Sequence, residues 1–175
     1  AVDTFLELIR IRYDDPKAYY LLAIEYSKLD LYDDAINRFK DAIRLKPNYI
    51  EAHFQLSQVY YWTGDLNAAL KAFTKVTEID PKNIEGHYRR GDVFQRLMDH
   101  ESAVKAFKKA LSINPNHKLA NYHLGISYIK LERPEDALKI FQKTTLLDPD
   151  FLEAHYQLGA TFAYLKKHKK SIDPL

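Results

Sequence analysis

Apolar side chains recur along this chain in a pattern that repeats every 34 residues. Within one period, Leu56, Val59 and Tyr60 have the spacing of one helix face, and Ala69 and Phe73 have it again shortly afterwards. Three columns keep the same step: Phe5, Phe39, Phe73, Phe107 and Phe141; Ala1, Ala35, Ala69, Ala103 and Ala137; and Pro47, Pro81, Pro115 and Pro149. The pattern predicts an all-α chain in which each period contributes two helices.

Proline marks the end of each second helix, because it lacks an amide donor and disfavours helical angles in the residue before it. The predicted repeats are residues 16–49, 50–83, 84–117 and 118–151, preceded by a second helix within 1–15 and followed by a partial repeat at 152–175. Pro134 is suited to the first turn of a helix. Side-chain oxygens near the first-helix starts are expected to act as N-caps: Asp15, Asn48, Asn83, Asn116 and Asp150.

Three further columns lie on the first helices: Leu22, Leu56, Leu124 and Leu158; Ala23, Ser57, Gly91, Gly125 and Gly159; and Tyr26, Tyr60, Phe94, Tyr128 and Phe162. With the columns above, they resemble the tetratricopeptide repeat family over nearly the whole chain. His53, His87 and His155 stand where the family often has tryptophan, and Arg90 stands in the leucine column. The resemblance implies one domain over residues 1–175, a right-handed superhelical solenoid of antiparallel helix pairs.

The same resemblance implies that the first helices line a concave groove for a peptide or a segment of a partner protein. The candidate groove residues are Tyr20, Ile24, Phe54, Gln55, Gln58, Tyr61, Trp62, Tyr88, Arg89, Asp92, Arg96, Tyr122, His123, Lys130, Tyr156, Gln157 and Tyr164. Five of these residues form an aromatic column with the 34-residue spacing: Tyr20, Phe54, Tyr88, Tyr122 and Tyr156. This column contacts the ligand, packs the repeats, or does both. Chaperone-binding members clamp a carboxylate with lysine and asparagine, but Tyr20, Ile24 and Gln55 occupy those positions here, so that activity is not implied.

Charge is nearly balanced, with 26 basic and 24 acidic side chains and a net charge of +2. We therefore expect no nucleic acid partner. Arg89, Asp92 and Arg96 share one helix face. They either pair with one another or leave an arginine to meet a carboxylate of a ligand.

Lysines form pairs on the second helices: Lys71 with Lys75, Lys105 with Lys109, and Lys139 with Lys143. We interpret them as a solvated convex face, with binding to an anionic lipid or nucleic acid surface as the weaker alternative. The basic run of residues 166–170 is expected in a turn between helices.

Three histidines could suggest a metal site or a catalytic site, but they follow the 34-residue period. His53, His87 and His155 lie on successive helices about 8–10 Å apart, whereas zinc ligands lie about 2.0–2.3 Å from the metal. We therefore interpret them as packing residues rather than metal ligands, a proton relay or a pH sensor. The chain has no cysteine, and no known catalytic motif is found. We predict no catalytic residue, metal or cofactor.

The predicted function is a non-catalytic scaffold for protein interactions. The alternative is a targeting or assembly arm of a larger enzyme or secretion complex. No apolar run reaches the roughly 20 residues of a membrane span. The location is left unknown, with a soluble cytoplasmic protein slightly favoured. Apolar residues at the two ends, Phe5, Leu8 and Ile9 and then Leu158, Phe162 and Leu165, predict self-association, either head to tail or as a two-fold pair.

Overall fold

The computed structural model describes the backbone of residues 2–172 and side chains up to residue 167. Within these residues ten helices follow one another and no strand occurs: α1 (Val2–Ile11), α2 (Pro16–Lys28), α3 (Tyr32–Leu45), α4 (Ile50–Thr63), α5 (Leu66–Ile79), α6 (Ile84–Arg96), α7 (His100–Ile113), α8 (Lys118–Lys130), α9 (Pro134–Leu147) and α10 (Leu152–Ile172). The predicted all-α class is confirmed.

The helices group into two compact units, residues 1–86 and 87–175. In the first unit, α2 packs on α3 and α4 on α5, while α1 packs on α2 and α3 on α4. In the second unit, α8 packs on α7 and α9, and α10 packs on α9. Phe39 and Phe73 in the first unit, and Phe107 and Phe141 in the second, are fully buried. The phenylalanine column therefore forms the core of each unit.

The two helices of a repeat can approach closely because the first helix carries a small residue at one position. We call this position the small-residue column: Ala23, Ser57, Gly91, Gly125 and Gly159. A Cβ added to Gly91 would lie 2.5 Å from the Phe107 ring, and one added to Gly125 would lie 2.5 Å from the Phe141 ring. Each glycine thus leaves space that the phenylalanine of the following helix fills.

The N-cap prediction is correct at two positions. Asp15 accepts a hydrogen bond from the Lys17 amide at 2.9 Å, and Asn83 accepts one from the Gly86 amide at 2.8 Å. Asp15 and Asn83 directly precede α2 and α6, where the side-chain oxygen can reach the first amides.

The prediction is wrong for Asn48 and Asn116, because α4 and α8 begin one residue later than those caps require. The N-cap residues are Tyr49, which makes no side-chain cap bond, and His117. The imidazole Nδ1 of His117 accepts from the Ala120 amide at 3.1 Å. Asp150 is one residue early in the same way, since α10 begins at Leu152.

The turns between paired helices share one backbone feature. Asp30, Gly64, Met98 and Glu132, each 34 residues apart, have φ values of 58°, 85°, 62° and 56°. Lys166 continues this column but lies inside α10, which runs on to Ile172. The turn expected at residues 166–170 is therefore wrong. Lysine favours a helix where no neighbouring helix imposes a turn.

Candidate functional site

The histidine column ties each first helix to the loop before it. The Nε2 atoms of His53 and His155 lie 2.9 Å from the carbonyl oxygens of Pro47 and Pro149. Asn121 in the same column donates from Nδ2 to the Pro115 carbonyl at 3.1 Å. The column requires a donor that reaches six residues back, which an imidazole or an amide supplies. The buried His53 agrees with the packing interpretation, whereas His155 makes the same backbone contact but is exposed.

The predicted aromatic column packs on the phenylalanine core. Ring centroids are 6.0 Å apart for Tyr20 and Phe39, and 5.6 Å apart for Phe54 and Phe73. In the second unit, Tyr88 lies 6.0 Å from Phe107 and Tyr122 lies 6.1 Å from Phe141. These distances are typical of aromatic pairs.

Exposure differs along this column. Tyr88 is buried, whereas Tyr20, Phe54 and Tyr122 are half-buried and so keep a surface for a ligand. Tyr156 is 73% exposed. Packing on the phenylalanine core therefore buries part of these rings. Every residue of the column except Tyr88 also has exposed surface that a partner could contact.

The other candidate positions of the first unit are mostly half-buried. Ile24 packs against the core cluster of that unit. Gln55, Gln58 and Tyr61 are partly accessible, and Trp62 is 59% exposed. An indole exposed to this extent offers a large apolar contact surface.

In the second unit, Gln95 joins two first helices, α6 and α8. Its Nε2 donates to the His123 carbonyl and to Ser127 Oγ, both at 2.8 Å. Its Oε1 lies 2.9 Å from His123 Nδ1. Because Nε2 is the donor atom of the amide, Oε1 accepts, and the neutral His123 ring carries its proton on Nδ1. Helical spacing places Gln95 in the groove beside Arg96, but the sequence alone does not reveal this link, because its partners lie about 30 residues away.

His123 lies close enough to two other candidate residues, Asp92 and Arg89, for their charges to shift its pKa. Burial lowers its pKa below the usual value for histidine, the Asp92 carboxylate raises it, and the Arg89 guanidinium lowers it further. Arg89 also lies 5.3 Å from the centre of the Tyr88 ring. Two other predicted cations, Arg96 and Lys130, are exposed. The site thus combines a neutral imidazole with one anion and one cation.

A cavity of about 240 Å³ lies where α10 faces the end of α8 and the start of α9. Two predicted residues, Gln157 and Tyr164, line it together with Ile129, Glu132, Pro134, Ala160 and Thr161. A shallower cavity of about 290 Å³ involves three predicted residues, Tyr122, Tyr156 and Gln157, beside Leu152 and Glu153. The structure therefore brings four of the candidate residues to two adjoining cavities.

Five of the six paired lysines on the second helices are exposed, as expected for a solvated face, and Lys143 is half-buried. Lys75 forms an ion pair with Glu78 at 3.3 Å, and Lys143 donates to the Pro115 carbonyl at 2.6 Å. Lys105 and Lys109 line a cavity of about 220 Å³ with His87, Arg90, Phe94, Ser102 and Ala106. The lining residues described there include no carboxylate.

Solved structures with similar folds include three informative neighbours. YrrB, described as a TPR protein with an unusual peptide-binding site, is 23% identical, with 95% of this chain and 86% of that one aligned and a TM-score of 0.81. MamA 41-end from Desulfovibrio magneticus RS-1 is 24% identical, with 90% and 89% aligned and a TM-score of 0.81. MamA MSR-1 is 26% identical, with 85% and 86% aligned and a TM-score of 0.74. These likenesses support a helical-repeat solenoid.

Comparison with curated protein sequences found no match. Across the part of the chain that is described, no helix is both long and apolar enough to cross a membrane. The family model for the tetratricopeptide repeat matches residues 28–89 and 98–160, which is most of the chain. The chain therefore belongs to the tetratricopeptide repeat family, whose members are generally non-catalytic modules of protein interaction.

Proposed function

We propose that this chain is a non-catalytic scaffold that binds a segment of a partner protein along its first helices. The repeats at 16–49, 50–83, 84–117 and 118–151, with the partial repeat at 152–175, would each offer the exposed face of its first helix as binding surface within the compact unit to which that helix belongs. Support comes from the accessible candidate residues on α2, α4, α8 and α10, and from the description of YrrB as a peptide-binding TPR protein.

The observation that carries this proposal is the cavity beside Ala160 and Tyr164. Its volume of about 240 Å³ suits one apolar side chain of the partner, and Ile129 and Ala160 supply apolar lining. The Glu132 carboxylate also lines it and favours a basic residue next to that anchor. The partner segment would therefore carry an apolar anchor with a lysine or arginine beside it.

Panning of a random peptide library displayed on phage tests the proposal. Peptides selected on the wild-type chain should share an apolar anchor, and Ala160→Trp, which fills the cavity, should weaken their binding at least tenfold. The matched control is Leu146→Trp on α9, whose leucine is 82% exposed and lines neither cavity. Equal binding by both variants would contradict the proposed site.

A second candidate function is binding of an anionic surface, and the cavity lined by Arg90, Lys105 and Lys109 favours it. Vesicles with phosphatidylserine should bind the chain more tightly than vesicles of phosphatidylcholine alone. Lys105→Glu with Lys109→Glu should abolish that difference, whereas Lys71→Glu with Lys139→Glu makes the same charge change outside the cavity. If both double variants lose binding equally, net charge rather than this cavity is responsible. A targeting or assembly arm of a larger complex stays a prediction.

A further inference from the structure

The ring of His123 is held in one orientation and one tautomer. Gln95 on α6 donates from Nε2 to the His123 carbonyl and to Ser127 Oγ, while Ser127 donates to the same carbonyl at 3.0 Å. These bonds fix the Gln95 amide with Oε1 towards His123 Nδ1, 2.9 Å away. Because Oε1 only accepts, Nδ1 carries the ring proton and Nε2 keeps its lone pair.

The Nε2 atom of His123 is open to a hydrogen-bond donor. One ring face packs on Phe107, with centroids 5.9 Å apart, and the Tyr122 ring lies edge-on at 5.3 Å. Nε2 has no partner among the described residues, and it is not one of the buried side-chain atoms left without a hydrogen bond, so it reaches solvent. A neutral imidazole nitrogen in this state can accept one hydrogen bond from a ligand.

Asp92 supplies a second acceptor close to His123. It lies one turn before Gln95 on α6, is half-buried, and acts electrostatically on the His123 ring. No described residue forms an ion pair or a side-chain hydrogen bond with its carboxylate. Arg89, one turn earlier, is engaged elsewhere, since its guanidinium lies 5.3 Å from the centre of the Tyr88 ring and it has further contacts. The Asp92 carboxylate therefore keeps its capacity to accept from a ligand.

Few charges face His123. Those that act on it belong to Asp92 and Arg89, both on α6, and the described parts of α7 and α9 contribute none. The carboxylate of Glu153 on α10 acts on Tyr122, the residue next to His123. The rings packed on His123 come from α6, α7 and α8 and are uncharged near pH 7: Tyr88, Phe107 and Tyr122.

We propose that Asp92 and His123 together bind the guanidinium group of an arginine in the partner segment. A guanidinium has five N–H donors in a planar fork and no acceptor, so it can donate to a carboxylate and to an imidazole lone pair at once. A lysine ammonium has the charge without the fork, and a carboxylate would be repelled by Asp92. The inference rests on the proposed function, because it names a second contact for the same partner segment.

One short segment can reach both contacts within the second unit. Ile129, which lines the anchor cavity, lies six residues after His123 on α8, or about 9 Å along the helix axis. An extended chain covers this distance in about three residues. The arginine should therefore lie at least about three residues from the apolar anchor.

The arginine contact should be lost in acid. Burial lowers the pKa of His123 below its usual value, so the ring is neutral at about pH 7.5 and Nε2 accepts. Protonation places a hydrogen on Nε2, which turns this acceptor into a donor and gives the ring a positive charge. The bond from Nδ1 to Gln95 is retained, so Gln95 acts as a positioning residue in both states.

Nuclear magnetic resonance of the imidazole nitrogens tests this site, with N-acetyl-arginine amide as the probe. At about pH 7.5 the probe should shift the resonances of His123 Nε2 and of the Gln95 side-chain amide in a saturable way. N-acetyl-citrulline amide, which has nearly the same shape but no charge, should bind about tenfold more weakly. This comparison uses the wild-type chain and needs no variant.

Asp92→Asn should weaken binding of the arginine probe by about tenfold, because a charge-assisted hydrogen bond is lost. The matched control is Asp150→Asn, which makes the same change of charge at an exposed position outside the site and should bind as the wild type does. At the acid pH where the nitrogen shifts of His123 report an imidazolium, the probe should no longer bind. At intermediate pH the probe should lower the midpoint of the His123 titration.

An arginine probe that leaves His123 and Gln95 unchanged would overturn the inference. So would equal binding of the citrulline probe, equal binding by Asp92→Asn, or binding that persists once His123 is protonated. The probe is a single amino-acid derivative, so these results leave the apolar anchor untouched. Conversely, panned peptides that ignore Ala160→Trp would contradict the anchor cavity and leave the arginine site standing.

Discussion

Met98 holds a backbone conformation that its side chain disfavours. Its φ is 62°, and its side chain is 70% exposed, so little packing offsets the strain. Left-handed geometry costs roughly 1–2 kcal/mol for an L residue with a Cβ. Gly64 occupies the equivalent turn without this cost.

Met98→Gly should therefore stabilise the chain. We expect a gain of about 0.5–1 kcal/mol, because relief of strain exceeds the roughly 0.4–1 kcal/mol of added entropy in the unfolded chain. Urea unfolding measures the change. Lys71→Gly, at an exposed position inside α5, is the control and should lose about 1 kcal/mol. A loss for Met98→Gly would show that the methionine side chain contributes packing.

His123 makes stability depend on pH. Burial lowers its pKa in the folded chain, while the unfolded imidazole binds a proton near pH 6.5. Below that pH the unfolded chain binds more protons, so the free energy of unfolding falls as the pH falls. His123→Gln should reduce the loss between about pH 7.5 and 5, as measured by urea unfolding across that range.

Asp92→Asn provides the counterpart. The carboxylate raises the pKa of His123, so its removal should lower that pKa and enlarge the loss of stability at acid pH. If wild type and both variants have the same pH profile, His123 is not the group responsible.

At the scale of the helices, the small-residue column determines how closely a pair can pack. Gly125 faces Phe141 at a distance that leaves no room for a methyl group, whereas the same position at Gly159 is open. A methyl group added at these two glycines should therefore change stability in opposite directions, although both glycines lie inside helices.

Gly125→Ala and Gly159→Ala form a matched pair. The first should destabilise the chain by about 1–3 kcal/mol, because the added methyl group overpacks the Phe141 ring. The second should stabilise it by about 0.5–1 kcal/mol through helix propensity alone. Thermal unfolding at low micromolar concentration measures both with little contribution from association. A gain for Gly125→Ala would mean that the Phe141 ring moves aside at little cost.

At the scale of the whole molecule, the chain forms two compact units with their own phenylalanine cores. In repeat proteins each repeat contacts mainly its neighbours, so loss of one contact is felt locally. Phe39→Ala removes a fully buried ring from the first unit and should cost that unit about 3–5 kcal/mol.

Hydrogen exchange shows where this loss appears. In Phe39→Ala, amide protection should fall in α2, α3 and α4, and should change little in α8 and α9. Phe141→Ala should produce the converse. Equal loss of protection throughout the chain in either variant would indicate a single cooperative unit.

The sequence by itself determined the repeat and its helices. A 34-residue period and an i, i+3, i+4 spacing are properties of neighbouring residues, so they identify helix pairs without knowledge of the contacts. The buried phenylalanine column and the N-caps at Asp15 and Asn83 followed from the same local patterns.

Tertiary structure decided the rest. The N-cap positions Tyr49 and His117 depend on where packing starts each helix, and the run after Leu165 continues α10 where the repeat register predicts a turn. The link from Gln95 to His123 and the cavity beside Tyr164 join residues about 30 positions apart. Periodicity indicates which face of a helix is apolar, but only packing determines which neighbour covers that face and which side chains stay accessible to a partner.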